Sequence, residues 1–450
     1  MAKKKKADDS ALDGVFAKLI SEQNRAVPGS ATTGTEMFST VRMWIPTSSV
    51  IMDTILSNKE TGGWPVGRTI ELYGEESIGK STLTFAAMAQ TQQMGGLAIY
   101  YDVEQAGSQE MMKANGVDLS RLIISNCTSV EEIFSTLETT LTTIINTKEL
   151  KGKPIFVCMD SLAQMTTDAE IDSDYEHNMN IDLKKAKQMG KCLRKITPFL
   201  NKANACLIII NQLRDKPGVT YGDPTTTPGG KALKFAASQR IKLMGKSPVK
   251  IMDPTVEKEY KRLITEWEEE CEGWKVAGGS KGTGYPKPPK PKRPKGDEVI
   301  VGYDIIAKTI KNKVAPPDRE AEFRIIFTQG IVEEPAWLDY GLKYGIVETA
   351  GNSYTFQLKD FPAVGTFGRN DWLDIVSDVE IHEYMGNKIQ GFLVKPMDSL
   401  KGLSTDSDND EPEFKIKNSP SPDAIKAIST VAETDIESPE EEAEEEVTEE

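Results

Sequence analysis

Gly74-Glu75-Glu76-Ser77-Ile78-Gly79-Lys80-Ser81 has the spacing G-x-x-x-x-G-K-[ST]. Its two glycines let the backbone curl until consecutive N–H groups face one point, which is how a chain wraps phosphate oxygens at a helix amino terminus. In such a loop Glu75, Glu76, Ser77 and Ile78 supply backbone, Lys80 reaches the β- and γ-phosphates, and Ser81, followed by Thr82, ligates magnesium. The local pattern agrees, because a strand-like run (RTIELY) enters the loop and a helix-like run (STLTFAAMAQ) leaves it. A chance glycine turn would not carry both flanks. ATP and Mg²⁺ are the expected ligands.

Hydrolysis needs more than a cradle, and three further apolar runs end in groups that could supply it. Phe156-Val157-Cys158-Met159 runs into Asp160, 80 residues after Lys80, in the form of a strand whose terminal acid holds the metal ion. An aspartate that merely caps the next helix would read the same way. Ala98-Ile99-Tyr100-Tyr101 ends in Asp102-Val103-Glu104, and a carboxylate is required to orient and deprotonate water in line with the γ-phosphate. Glu104 is the candidate base, with Asp102 equal to it by pattern. Ile208-Ile209-Ile210 ends in Asn211-Gln212, amides able to touch both a γ-phosphate and the loop beyond. An edge-of-sheet amide bound only to backbone is the plain alternative.

To bring these groups together the chain must place several strand ends on one edge. Strand candidates are 69–73, 97–101, 122–125, 155–159, 206–210 and 240–244, with helical stretches at 80–94, 130–146 and 182–202. Apolar strands alternating with helices predict an α/β fold with a mainly parallel sheet covered on both faces. Before it, 10–24 has helical spacing, 28–36 reads as a linker and 38–45 as a short strand. After it, 252–297 departs from the pattern. An acidic helical piece (256–272) leads into a stretch, 273–296, with seven Lys/Arg and no acid, whose prolines and glycines read as an exposed loop. Strands resume at 299–310 and 322–328, and a small α/β unit occupies about 334–398.

Gly74–Ser81, Asp102-x-Glu104, Asp160-Ser161, Asn211-Gln212-Leu213-Arg214 and Gly222-Asp-Pro-Thr-Thr-Thr-Pro-Gly229-Gly230-x-Ala-Leu-Lys234-Phe235 occur in this order. In these motifs the chain resembles the RecA family of DNA recombinases over about residues 35–390, apart from 252–297. The resemblance implies that Glu104 activates water and that Gln212 couples nucleotide to DNA. It implies that 213–230 and about 171–181 are DNA-binding loops, with Met179, Arg214, Lys216, Tyr221, Gly229 and Gly230 as contacts. Charge at Arg214 and Lys216, a stacking ring at Tyr221 and glycine amides suit a phosphate backbone. Lys311-Asn312-Lys313 resembles the family's lysine pair that reaches a neighbour's γ-phosphate, although a solvated pair before Pro316-Pro317 is the bland reading. Ser108 and Met111 stand where the family has an acid and a tyrosine beside adenine, so only Met111 remains as a purine contact. The 182–200 stretch is closer to phage-encoded members of the family.

The net charge of −15 is unevenly spread. Residues 401–450 carry 17 acids against 4 lysines, so the rest of the chain is nearly neutral and leaves room for a basic surface. Disorder is expected beyond 404. No apolar run has the roughly 20 residues of a membrane span, and the basic amino terminus lacks the apolar stretch of a secretory signal. Five scattered cysteines and two histidines offer little for zinc, so a cytoplasmic, reduced protein is expected. The expected organisation is an amino-terminal polymerisation arm (1–47), a RecA-type P-loop ATPase core (48–330, with the 252–297 insertion), a small carboxyl-terminal α/β domain (331–400) and an acidic tail (401–450). The expected partners are single-stranded DNA, homologous double-stranded DNA, further copies in a filament, and single-strand-binding and loader proteins. A hexameric helicase and a regulatory or scaffold ATPase are the competing readings.

Overall fold

The computed structural model describes residues 2–27, 30–33, 40–171, 179–215, 225–278, 286–292, 294, 298–351, 353–356 and 364–394. Aliphatic runs form a nine-stranded sheet. Its strands are β1 (Thr69–Gly74), β2 (Leu97–Asp102), β3 (Leu122–Ser125), β4 (Ile155–Asp160), β5 (Ala205–Gln212), β6 (Gln239–Met252), β7 (Glu298–Asn312), β8 (Glu320–Ile326) and β9 (Gly330–Val332). Their spatial order is β9-β8-β7-β6-β1-β5-β4-β2-β3. The pairs from β6 through β3 are parallel, whereas β6-β7-β8-β9 pair antiparallel as a wing.

Every residue of β1 and β4 is buried, as expected where helices cover both faces. The pleat sends alternate residues to opposite sides. Ile70, Leu72, Phe156, Cys158, Ile208 and Ile210 join one apolar cluster with the helices Val50–Ser57 and Lys80–Gln93. Val157, Met159, Leu207 and Ile209 join the other, with the helices Val130–Asn146 and Met179–Lys202. The first cluster continues without a break into Trp337, Leu338, Trp372, Met385 and Ile389. Those residues belong to the helices Glu334–Lys343, Trp372–Val376 and Val379–Leu393, beside a small three-stranded antiparallel sheet.

Three expectations change. The 38–45 run yields only a two-residue strand, Trp44–Ile45, paired with Trp64–Pro65; residues 38 and 39 lie outside the described residues. The buried Trp64 and Ile45 anchor the pair, and the Met43 carbonyl accepts from the Val66 amide at 3.1 Å without extending the strand. The acidic helix runs Pro254–Val276, longer at both ends than 256–272, so Gly273–Val276 are helical rather than loop. Asp253 caps it and a proline in its first turn is tolerated there; Gly273 is accommodated within its last turns, and the helix ends before Gly278, which has φ +81°. The amino-terminal helix spans Ala2–Ala26, with Val15, Phe16 and Leu19 exposed. The expected tail lies outside the described residues.

Candidate nucleotide and nucleic-acid site

Parallel strands carry their carboxyl ends to one edge, and register decides which residues meet there. Gly74 of β1 pairs with Gln212 of β5, and Asp102 of β2 with Asp160 of β4. The edge therefore bears the phosphate loop and all three candidate strand ends side by side.

The loop leaves β1 at Gly74 and turns into the helix at Gly79. Gly79 has φ +93°, and a Cβ there would lie 2.7 Å from Ile325 Cδ1 of β8. Only glycine meets both demands. Ile78 is buried, while Glu75, Glu76 and Ser77 are exposed, leaving their backbone at the surface. Lys80 is 8% exposed, and its ammonium donates to the carbonyls of Gly74 and Glu75. Burial lowers its pKa, while Asp160, Glu104, Glu76 and Glu75 pull it back up. Thr82 is buried beneath the first turn.

Ser81 Oγ donates to Asp160 Oδ2 at 2.8 Å, and the Tyr100 hydroxyl donates to the same oxygen at 3.1 Å. Burial raises the Asp160 carboxyl to about 6, against the lowering effect of the Ser81 bond. Two hard oxygen donors held together beside a buried lysine form a set that suits magnesium. The Asp160–Ser161 peptide is cis, and Ser161 Oγ donates to Glu104 Oε1.

Glu104 and Asp102, equal in sequence, part company in the fold. Asp102 accepts from the amides of Ala106 (3.2 Å) and Gly107 (3.1 Å), closing its own turn. The amides of Val103 and Glu104 both donate to the Asp160 carbonyl, at 2.9 and 3.2 Å, which carries Glu104 across to the end of β4. There Gln212 Nε2 donates to Glu104 Oε1 at 3.4 Å. Met111 packs against the apolar core in the helix Gln109–Ala114, capped by Ser108.

Beyond Gln212, Arg214–Asp215 pairs antiparallel with Thr225–Thr226 and closes the root of the 213–230 loop. Arg214 is exposed. Lys216 and Tyr221 lie outside the described residues, as do residues 172–178 and the side chain of Met179. Gly229 (φ +87°) and Gly230 (φ +63°) open the helix Gly230–Ala236. Lys311 is in register with Arg240, which is in register with Glu71, three residues short of the phosphate loop. Its ammonium donates to the carbonyls of Lys234 (2.7 Å) and Phe235 (3.0 Å) at the end of that helix. Lys313 is exposed. Thus the structure groups Lys80, Ser81, Glu104, Asp160 and Gln212, and sets Lys311 and Lys313 on the antiparallel wing, away from that group.

Two features escape the sequence reading. One is a groove of about 390 Å³ in which Lys184, Lys187, Lys191 and Arg194 outnumber a single acid, Glu131, among Thr167, Ala169 and Gln188. Its cations recur at i, i+3, i+7 and i+10, a one-face helical spacing visible in the sequence. The other is the buried Glu71–Arg240 pair. An acid inside an otherwise apolar strand was the available signal.

A family model described as the RecA N-terminal domain matches residues 31–266. Protein RecA of Francisella philomiragia is 34% identical over 316 residues, 70% of this chain and 71% of that protein. Protein RecA of Francisella tularensis subsp. novicida is 34% identical over 316 residues, 70% of this chain and 72% of that protein.

Proposed function

The chain belongs to the RecA family, and from that premise we propose that it is an ATP-dependent recombinase that forms filaments on single-stranded DNA and exchanges strands with a homologous duplex. The observation that carries this reading is the contact path from Ser161 and Glu104 through Gln212 to the root of the 213–230 loop. It joins a hydrolytic carboxylate to a candidate DNA loop within a few side chains.

Residues 74–82 hold the phosphates of ATP with their backbone, and Lys80 stands inside the curl against the outer phosphates. Ser81 and Asp160 are the magnesium donors; the ion, when bound, neutralises charge on the phosphate oxygens. Glu104, held by Ser161, orients and deprotonates the attacking water. Gln212 contacts Glu104 and is continuous with Arg214, so a change at the γ-phosphate is passed to the DNA loop. Arg214, Lys216, Tyr221, Gly229, Gly230 and Met179 contact the strand, and the Lys184–Arg194 face extends that basic path. Lys311 and Lys313 stabilise γ-phosphate charge from the adjacent protomer, and Met111 packs on adenine.

Residues 1–47 act as the polymerisation arm, 48–330 as the core, 331–400 as a carboxyl-terminal domain and 401–450 as an acidic tail competing for basic surfaces. Single-strand-binding and loader proteins complete the set of partners. The protein works in the cytoplasm, of a bacterial host if phage-encoded. Among the described residues no helix is long and apolar enough to cross a membrane.

ATP hydrolysis measured with and without single-stranded DNA, across salt and with Lys80→Ala as control, tests the proposal. DNA stimulation that fades as salt rises is the expected result. DNA-independent hydrolysis would favour the scaffold ATPase. Duplex unwinding without strand exchange would favour the helicase.

A further inference from the structure

Glu71 lies in the middle of β1, fully buried, with no part in the chemistry described so far. Its two carboxylate oxygens meet two different donors. Oε2 accepts from Arg240 Nε, and Oε1 accepts from Asn211 Nδ2 at 3.0 Å. Arg240 is itself held, its guanidinium 4.8 Å from the Tyr73 ring centre. Asn211 is fully buried and uses both Nδ2 hydrogens and its Oδ1. Its second Nδ2 hydrogen goes to the Pro228 carbonyl at 3.1 Å, and its Oδ1 accepts from the Gln212 amide at 3.0 Å.

We propose that Glu71, clamped by Arg240, is a positioning residue that locks the Asn211 carboxamide and thereby holds the Gln212 backbone and the end of the 213–230 loop as one piece. The inference rests on the recombinase reading for what that loop binds. A buried ion pair is a poor device for stability, since apolar residues of similar size often do as well. The bonding count points to orientation instead. A carboxylate offers two acceptors to two donors, whereas an amide offers one acceptor and would turn its own N–H groups on the other donor. With Glu71 absent, Asn211 is free to rotate, and the two bonds it makes to Pro228 and Gln212 slacken together.

The test uses the full chain with two variants. Glu71→Gln keeps the shape. Glu71→Leu with Arg240→Leu leaves no buried charge unpaired and protects the fold. Amide hydrogen exchange at Gln212 is read without DNA. The ratio of single-stranded DNA affinities with and without a non-hydrolysable ATP analogue is read on the same proteins. Expected are about tenfold faster exchange at Gln212 and a fall of about fivefold or more in the affinity ratio. A folded double variant with wild-type exchange and a wild-type ratio overturns the proposal. If the wild-type ratio is one, the recombinase reading fails, and Gln212 exchange alone then decides whether Glu71 positions Asn211.

Discussion

Carboxylates in this protein owe their behaviour to what surrounds each of them. Asp102 and Glu104 sit two residues apart, yet one closes a turn and the other reaches Ser161 and Gln212. Glu333 has no place near the phosphate loop. It is 7% exposed and caps the helix Val50–Ser57, accepting from Ser49 Oγ at 2.6 Å and the Val50 amide at 2.9 Å. Burial raises its carboxyl to about 7, helped by the nearby Asp53, itself raised to about 6 by burial. An acid whose pKa is higher in the folded state favours folding while protonated. That contribution is full below the unfolded value near 4.5 and is lost as pH rises through about 7. Glu333→Gln mimics the protonated form. Its stability relative to wild type should therefore improve between about pH 5 and about pH 8, by up to about 3 kcal/mol. Denaturant unfolding of both proteins at the two pH values checks this, and a difference independent of pH would remove Glu333 as the titrating group.

At the scale of elements, the decisive device is the parallel edge, because it puts four strand ends in one row without any long-range side-chain code. The antiparallel wing contributes differently: Ile325 of β8 underlies Gly79, so the wing supports the phosphate loop from below. The 213–230 segment is pinned at its root by the Arg214–Thr226 pairing and by Lys234 Nζ, which donates to Thr226 Oγ1 at 2.9 Å. Arg214 projects from that root into solvent. As a phosphate contact, Arg214→Ala should weaken single-stranded DNA binding alike for all sequences and lower the salt slope by about one. Anisotropy titrations across salt measure both quantities. An unchanged slope would remove Arg214 from the DNA path.

For the whole molecule, the recombinase reading has Lys311 and Lys313 act on the γ-phosphate of another protomer, which requires the Lys311 ammonium to leave the Lys234 and Phe235 carbonyls. Glu104→Gln protein and a Lys311→Ala, Lys313→Ala double variant should each be nearly inactive alone. Mixed in equal amounts on DNA, random assembly pairs an intact glutamate with a neighbour's intact lysines at about one site in four. Activity should then return to about a quarter of wild type if the lysines act in trans. A mixture as inactive as its components would place the lysines in their own protomer's chemistry, and a lysine variant active by itself would place them outside it. The charge layout along the sequence fits a molecule of this kind, because most of the −15 lies in the last fifty residues and leaves the rest of the chain nearly neutral.

How much was legible beforehand follows from how far apart the interacting residues lie along the chain. The phosphate loop, the strand–helix alternation and the acids at strand ends depend on local spacing and on burial of both sheet faces, so residue order alone determined them. The family motifs likewise stand in contiguous runs. Which of Asp102 and Glu104 reaches Ser161 and Gln212 could not be read that way. It depends on Val103 and Glu104 bonding to the Asp160 carbonyl, a contact between strands adjacent only in space. The Glu71–Arg240–Asn211 junction joins residues up to 169 positions apart, through three neighbouring strands. Likewise, of the strand expected at 38–45, the described residues keep only Trp44–Ile45, since a strand exists only where a partner supplies its hydrogen bonds. Sequence pattern determined which groups reach the edge of the sheet. Tertiary pairing decided which of them touch, because hydrogen bonds across strands follow register in space rather than order along the chain.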